Sequence, residues 1–193
     1  MSLLDAFLRD SWQQTVIRSA VYIAIRTDAA TGTGSMEDPW NGKGYVGDLS
    51  TNATRFDAIL SDAAKVPEGT TVHLGPTASG SEFLTRGFNV TTGSATGWKP
   101  RNGLRLVGAG MNNTTLKVVS AAQNYFTVAI GNNDSASADF LNGFEASDFT
   151  VDCDTANQQL SKLAVGAAAV TGKHVYLRRL RVINFGGKNA DAP

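Results

Sequence analysis

A repeat of strand-like segments at unequal spacing limits what this chain can fold into more than any other feature. Asn102-Gly103-Leu104-Arg105-Leu106 matches Asn142-Gly143-Phe144-Glu145-Ala146 in its order of turn, apolar and charged residues. Gly172-Lys173-His174-Val175-Tyr176-Leu177 follows the same order more loosely, and Phe149-Thr150-Val151 lines up with Leu180-Arg181-Val182. The offsets are 40 and then 31 residues. Matching strands at unequal offsets fit coils of one solenoid with turns of different length, and such coils must stack because none buries its apolar face alone. The alignment sets Arg105 beside Glu145 and Asp148 beside Arg179. Opposite charges on neighbouring strands favour that register by about 0.2–1 kcal/mol each. Both pairs are therefore expected as neighbours on parallel strands. The inward positions would be Leu104, Leu106, Phe144, Ala146, Phe149, Val151, Val175, Leu177, Leu180 and Val182.

Around the repeat, periodicity predicts the other elements. Leu3, Leu4, Phe7 and Leu8 share one face of a helix that Ser2 can cap and that runs to about Gln14. Val21, Ile23 and Ile25 alternate as a strand. Thr31 to Asn52 reads as a long polar connection packed by Trp40. Gly42-Lys43 approaches a phosphate loop, but Gly44 stands where Ser or Thr belongs and Glu37 where the leading Gly belongs. A second helix carries Phe56, Ile59, Leu60, Ala63 and Ala64 on one side and Asp57 and Asp62 on the other, and Pro67 ends it. Thr71 to Leu74 is a strand with His73 outward. Further strands are expected at 104–107, 115–119, 126–130, 144–153, 167–171 and 175–185, with a further helical segment at 157–163. Gly108-Ala109-Gly110 is a turn and not a dinucleotide loop, because Asn113 replaces the third Gly and no helix follows. The chain divides into 1–49, a helix, strand and polar loop, and 50–193, a capping helix followed by stacked coils.

Composition narrows the function classes. With 17 basic and 17 acidic side chains the chain lacks the cationic excess that coats nucleic acid. One cysteine and two histidines supply neither a disulfide framework nor a Cys/His zinc set, so no metal site is expected. No stretch reaches the roughly 20 apolar residues of a membrane helix, so no membrane partner is expected. The N-terminus lacks the basic n-region of a secretory signal.

The order of these segments carries a resemblance. After the second helix come Val66-Pro67-Glu68-Gly69-Thr70-Thr71-Val72-His73-Leu74-Gly75-Pro76, then Gly103-Leu104-Arg105-Leu106-Val107-Gly108-Ala109-Gly110, then Thr114-Thr115-Leu116-Lys117-Val118. Phe149-Thr150-Val151-Asp152-Cys153-Asp154 and Leu180-Arg181-Val182-Ile183-Asn184 follow. Over about residues 50–185 this resembles the start of a pectate-lyase-like, right-handed parallel β-helix (a mainly β solenoid with N-terminal capping helices). The resemblance implies a polysaccharide lyase, glycoside hydrolase, phage tailspike or non-enzymatic scaffold. It implies Ca²⁺ as a cofactor only for the lyase case.

Two clusters could carry chemistry. Asp148, Asp152 and Asp154 form the densest carboxylate group, and glycan hydrolysis needs two carboxylates. Asp152 and Asp154 equally suit the end of a strand and the start of a turn. Arg178, Arg179 and Arg181 could bind the carboxylates or sulfates of an acidic polysaccharide bidentately, or pair with acids on the neighbouring coil. Trp12, Trp40 and Trp98 could stack on sugars but suit core or loop anchoring better. Sequons occur at Asn52, Asn89, Asn112, Asn113 and Asn133. Both histidines read as outward strand positions, and Cys153 keeps the buried phase of Phe149 and Val151. The expectation is the N-terminal part of a polysaccharide-directed β-helix protein, extracellular or on a virion surface. Whether it is an enzyme stays open. The alternative is a non-catalytic assembly or adhesion module whose open end pairs with a homo-oligomer partner or the remainder of a longer β-helix. A β-sandwich would instead show antiparallel pairing.

Overall fold

A computed structural model describes residues 19–47, 53–119, 126–132, 140–158 and 164–187. The expected N-terminal helix lies outside them, as does most of the segment expected to be helical at 157–163. In chain order the elements are β1 (Ala20–Ala24), β2 (Trp40–Asn41), α1 (Arg55–Ser61), β3 (Thr71–Leu74), β4 (Phe83–Thr85), β5 (Phe88–Asn89) and β6 (Ser94–Ala95). There follow β7 (Arg105–Val107), β8 (Thr115–Val118), β9 (Thr127–Gly131), β10 (Leu141–Asn142) and β11 (Glu145–Asp152). The last are β12 (Ala164–Ala169), β13 (Gly172–Lys173), β14 (Tyr176–Ile183) and β15 (Gly186–Gly187). The described chain is thus mainly β with one α-helix.

Parallel pairing arranges these strands in columns. β1, β3, β7, the first half of β11 and β14 lie side by side in one column. β4, β8, the second half of β11 and the end of β14 form the next. β9 pairs with β12, and β10 with β13, again in parallel. Antiparallel pairs among the named strands are confined to the short β5, β6 and β15. Parallel columns overturn the sandwich alternative.

The Asn-Gly repeat marks a corner. Gly69, Gly103, Gly143 and His174 all have left-handed backbone, with φ of 74°, 68°, 81° and 55°. Gly69, Gly103 and Gly143 each donate a backbone hydrogen bond of 2.9 Å to the carbonyl of the residue before the next member, namely Asn102, Asn142 and Lys173. A Cβ on Gly103 would lie 3.0 Å from the Gly69 Cα, so close stacking reinforces the conformational need for glycine. His174 therefore sits in this bend, exposed, and not on a strand as its sequence suggested.

Both expected charge pairs form. Arg105 is the register partner of Glu145, and its Nε donates to Glu145 Oε2 at 3.0 Å. Asp148 and Arg179 fall level, between the pairs Ser147–Arg178 and Phe149–Leu180. Arg179 Nε and Nη2 donate to the two Asp148 oxygens at 2.5 and 2.7 Å. Both residues are left-handed, with φ of 66° and 46°, so β11 and β14 kink together. That kink divides β11 between β7 and β8.

The interior is apolar. Phe83, Leu106, Leu116, Phe144, Phe149 and Val151 are all fully buried, as is Ala146, and each of the six larger side chains stabilises the fold by roughly 1.5–3 kcal/mol. Cys153 is buried in phase with them, and burial pushes its thiol up to about 11. On β14 the inward face is less covered: Leu180 and Val182 are partly buried and Leu177 is 46% exposed. The register agrees with the expected inward positions, but no described strand stacks beyond β14.

At the other end α1 packs on β4. Its Phe56 ring lies 5.6 Å from that of Phe83 and edge-on to Trp98 at 6.2 Å. The helix stops at Ser61 and does not reach Ala64. Asp62 is extended and its carboxylate accepts from the Ala64 N–H, capturing a donor the helix would need. Asp57 is not on a solvent face: it is 4% exposed. Other boundaries shift too. The strand expected at 167–171 forms at Ala164–Ala169, and β2, β4, β5 and β6 had no period-2 signal.

Candidate functional site

The outward face of the first column gathers most of the exposed chemistry. Val21-Tyr22-Ile23 on β1 and Val72-His73-Leu74 on β3 each set one polar aromatic between two inward residues. Parallel register makes Tyr22 and His73 direct partners. Their rings stack with centroids 4.9 Å apart and planes 17° from parallel. A hydrogen bond between the Ser19 and Thr70 hydroxyls, 2.8 Å, fixes the start of the two strands. The same row continues through Val107, Ser147 and Arg178.

Beside the rings lies a cleft of about 320 Å³, lined by Tyr22, His73, Met36, Pro39, Val107 and Gly108 among others. Burial, and then the neighbouring Arg105 charge, hold the His73 imidazole below its usual range, so it is neutral at pH 7. It can donate from one ring nitrogen and accept at the other. The Tyr22 hydroxyl adds a donor and acceptor.

Two residues earlier on each strand, the same outward face carries the level row of Thr71, Arg105, Glu145 and Tyr176 and becomes charged. Glu145 accepts from Arg105 and lies 3.9 Å from Arg178 Nε. The Arg178 guanidinium sits over the Tyr176 ring at 4.6 Å. Arg179 holds Asp148 well below the usual carboxylate range through their hydrogen bonds, and Asp148 raises Arg179 in turn. Arg181 is exposed on the same strand, level with Thr150. The three arginines thus share β14 as expected, with Arg179 closed onto Asp148.

The carboxylate group is divided. Asp148 lies at the kink. Asp152 Oδ1 accepts from the Asp154 N–H at 2.9 Å and from Asn184 Nδ2 at 2.8 Å. Asp154 Oδ1 accepts from Asn157 Nδ2 at 2.8 Å, and its other oxygen pairs with Lys117 at 3.1 Å. Asp154 and Asn184 are left-handed, with φ of 46° and 53°, so this is a bend locked by side-chain to backbone bonds. Among the described residues no three His, Cys, Asp or Glu side chains converge to hold a metal ion.

Trp40 and Trp98 serve the scaffold, and Trp12 lies outside the described residues. Trp98 is 1% exposed. Trp40 packs against Gly34, where a Cβ would come within 2.2 Å of the indole nitrogen, and Lys65 lies over its ring at 5.3 Å. Asn89 is 6% exposed and accepts from the Thr92 N–H, so it faces inward unlike Asn112 and Asn113 in their exposed turn.

Sequence reading missed the Tyr22–His73 pair. The signal was the shared pattern of one ring residue flanked by two β-branched or leucine side chains in both strands.

No family model matches the chain, and no curated protein does. A solved structure with some likeness is the A-module of a mannuronan C-5 epimerase from Azotobacter vinelandii, at 24% identity and a TM-score of 0.47. The match covers 73% of this chain and 35% of that one, so this chain spans about a third of that module.

Proposed function

We propose that this chain belongs to a right-handed parallel β-helix protein whose first column of strands binds a polysaccharide along its outward face. The observation that carries this reading is the Tyr22–His73 stack walling a cleft of about 320 Å³ on the same face as the Arg105–Glu145–Arg178 charges. A sugar presents apolar C–H surface and a rim of hydroxyls, which suits rings with polar tips. Five strands about 4.8 Å apart give this face a length of roughly 19 Å, room for several linked sugars. The charged part of this face favours a polymer that carries carboxylate or sulfate groups, held by arginine forks. Such a protein would work outside the cell or on a virion surface. Asp148, Asp152 and Asp154 are each engaged by local partners, and the proposal assigns them no catalytic step.

Titration calorimetry with uronic-acid and neutral oligosaccharides tests it. Binding should prefer the uronates and weaken about three- to tenfold in Tyr22→Ala, the loss of one aromatic contact. Equal binding by the wild type and by a Tyr22→Ala, His73→Ala double variant would refute the placement.

A further inference from the structure

A second pocket lies against α1. Its frame follows from local pairing. The segment after β2 turns back along the entry to the helix: the Gly44 carbonyl accepts from the Arg55 N–H at 2.9 Å, and the Val46 N–H donates to the Ala53 carbonyl at 2.7 Å. Arg55, Ala58 and Ile59 fall on one face of α1, at positions i, i+3 and i+4. That face, Trp40, Val46 and Lys65 line a space of about 350 Å³. Ligand pockets run from roughly 300 to 1,000 Å³, so a small molecule fits. The pocket shares no lining residue with the Tyr22–His73 cleft.

The walls are held by contacts within the protein. Trp40 is wedged against Gly34, and Lys65 lies over its ring at 5.3 Å. Lys65 is held in turn by Asp62 at 3.0 Å. Asn41, buried at the same place, spends its amide on the Lys43 N–H at 3.0 Å and the Asp28 carbonyl at 3.4 Å. Two kinds of group are left for a ligand. Trp40, Val46, Ala58 and Ile59 offer apolar surface. Arg55 offers charge: its Nε donates to the Tyr45 carbonyl at 3.0 Å, and its guanidinium forms no ion pair among the described residues. Asp62 already neutralises Lys65, so Arg55 is the cation a ligand would meet. A neutral apolar guest would strip water from that guanidinium and return nothing. A sugar would bring a rim of hydroxyls to walls with few polar groups to spare.

We propose that this pocket binds a small amphipathic anion, a carboxylate carried on an aryl or alkyl body. The body lies between Trp40, Val46 and Ile59, and the carboxylate sits on Arg55. This site is separate from the polysaccharide face and does not depend on it.

NMR on the isotope-labelled full chain tests it, with hydrocinnamate as the probe. The reporter is the Trp40 indole N–H, identified by its loss in Trp40→Phe. Hydrocinnamate should move that signal and the amides of Ala58 and Ile59 saturably. Hydrocinnamyl alcohol keeps the body and lacks the charge, and should bind about tenfold more weakly. Acetate keeps the charge and lacks the body, and should give no saturable shift. Arg55→Gln should weaken hydrocinnamate by about five- to tenfold. Ala58→Phe, at an exposed helical position, should fill the space and abolish binding, with circular dichroism confirming the fold. The comparison of acid with alcohol leaves the protein untouched, so it decides the matter even if a variant fails to fold. Four results would overturn the proposal. One is no saturable shift at millimolar hydrocinnamate. Another is equal binding of the alcohol. A third is undiminished binding by folded Arg55→Gln or Ala58→Phe. The fourth is a shift at Tyr22 and His73 in place of Trp40, which would put the probe on the polysaccharide face.

Discussion

Asp57 should make this protein more stable in mild acid than at neutral pH. The residue sits in the first turn of α1, where its own N–H donates to the capping Thr54 hydroxyl at 3.1 Å. Its carboxylate accepts from Thr85 Oγ1 at 2.7 Å and from the Arg86 N–H at 2.8 Å. Gly97 closes over it so tightly that a Cβ there would lie 2.3 Å from Oδ2. Burial raises the group from 3.8 to about 6, against the opposing pull of those hydrogen bonds and the Arg86 charge. The folded state therefore holds this proton more tightly than the unfolded chain does. Stability is fullest below about pH 4 and falls as pH rises toward 6, by about 3 kcal/mol in all. His73 works in the opposite sense near its own titration, because its lowered imidazole loses stability as pH falls below 6.5. The comparison must therefore be with Asp57→Asn in the same buffers. An Asn oxygen can still accept from Arg86, and its amide can donate to the Thr85 hydroxyl, so the cavity stays filled. Urea unfolding between pH 4 and pH 7 should show a stability difference, variant minus wild type, that grows by roughly 2–2.5 kcal/mol with pH, most of the total. A difference that stays flat over that range would mean the carboxylate is not buried against its charge, and the packing of Gly97 on α1 would be wrong with it.

Two further outcomes follow from the packing. Phe149→Ala empties a fully buried site beside the kink and should cost about 3–5 kcal/mol in urea unfolding, with the parallel register otherwise intact. Asp148→Ala removes the bidentate contact with Arg179, but Arg179 is 63% exposed, so the expected loss is under about 1 kcal/mol and should shrink further in high salt.

The columns were legible in the sequence where strands are long and turns repeat their chemistry. Asn102-Gly103 and Asn142-Gly143 mark one corner, and the charges at 105, 145, 148 and 179 indicate the register of β7, β11 and β14. The earlier strands gave less. β4, β5 and β6 are two or three residues long, too short for alternation to show against the surrounding turns. α1 was placed, but its buried carboxylate was not, because the segment from Thr85 to Gly97 that covers Asp57 is distant in sequence. A helical wheel assigns an aspartate to water unless that cover is known. The candidate site was legible in its charged half, at Arg178, Arg179 and Asp148. Its aromatic half needed the register of β1 on β3, which no charge pair announced.

The corner at Gly69, Gly103, Gly143 and His174 bears on how such a molecule can vary. Successive members are 34, 40 and 31 residues apart, yet each returns to the same place in the stack. What keeps the strands in step is thus the address of the corner and not the length of the journey between addresses. Segments between corners are free to lengthen, shorten and change composition with little penalty to the interior. A single residue inserted between Gly103 and Leu106 would have the opposite result: it would turn Arg105 inward and Leu106 outward along the whole strand. The architecture separates a fixed grammar of corners from a vocabulary of loops, and new surface chemistry can be written in the loops alone.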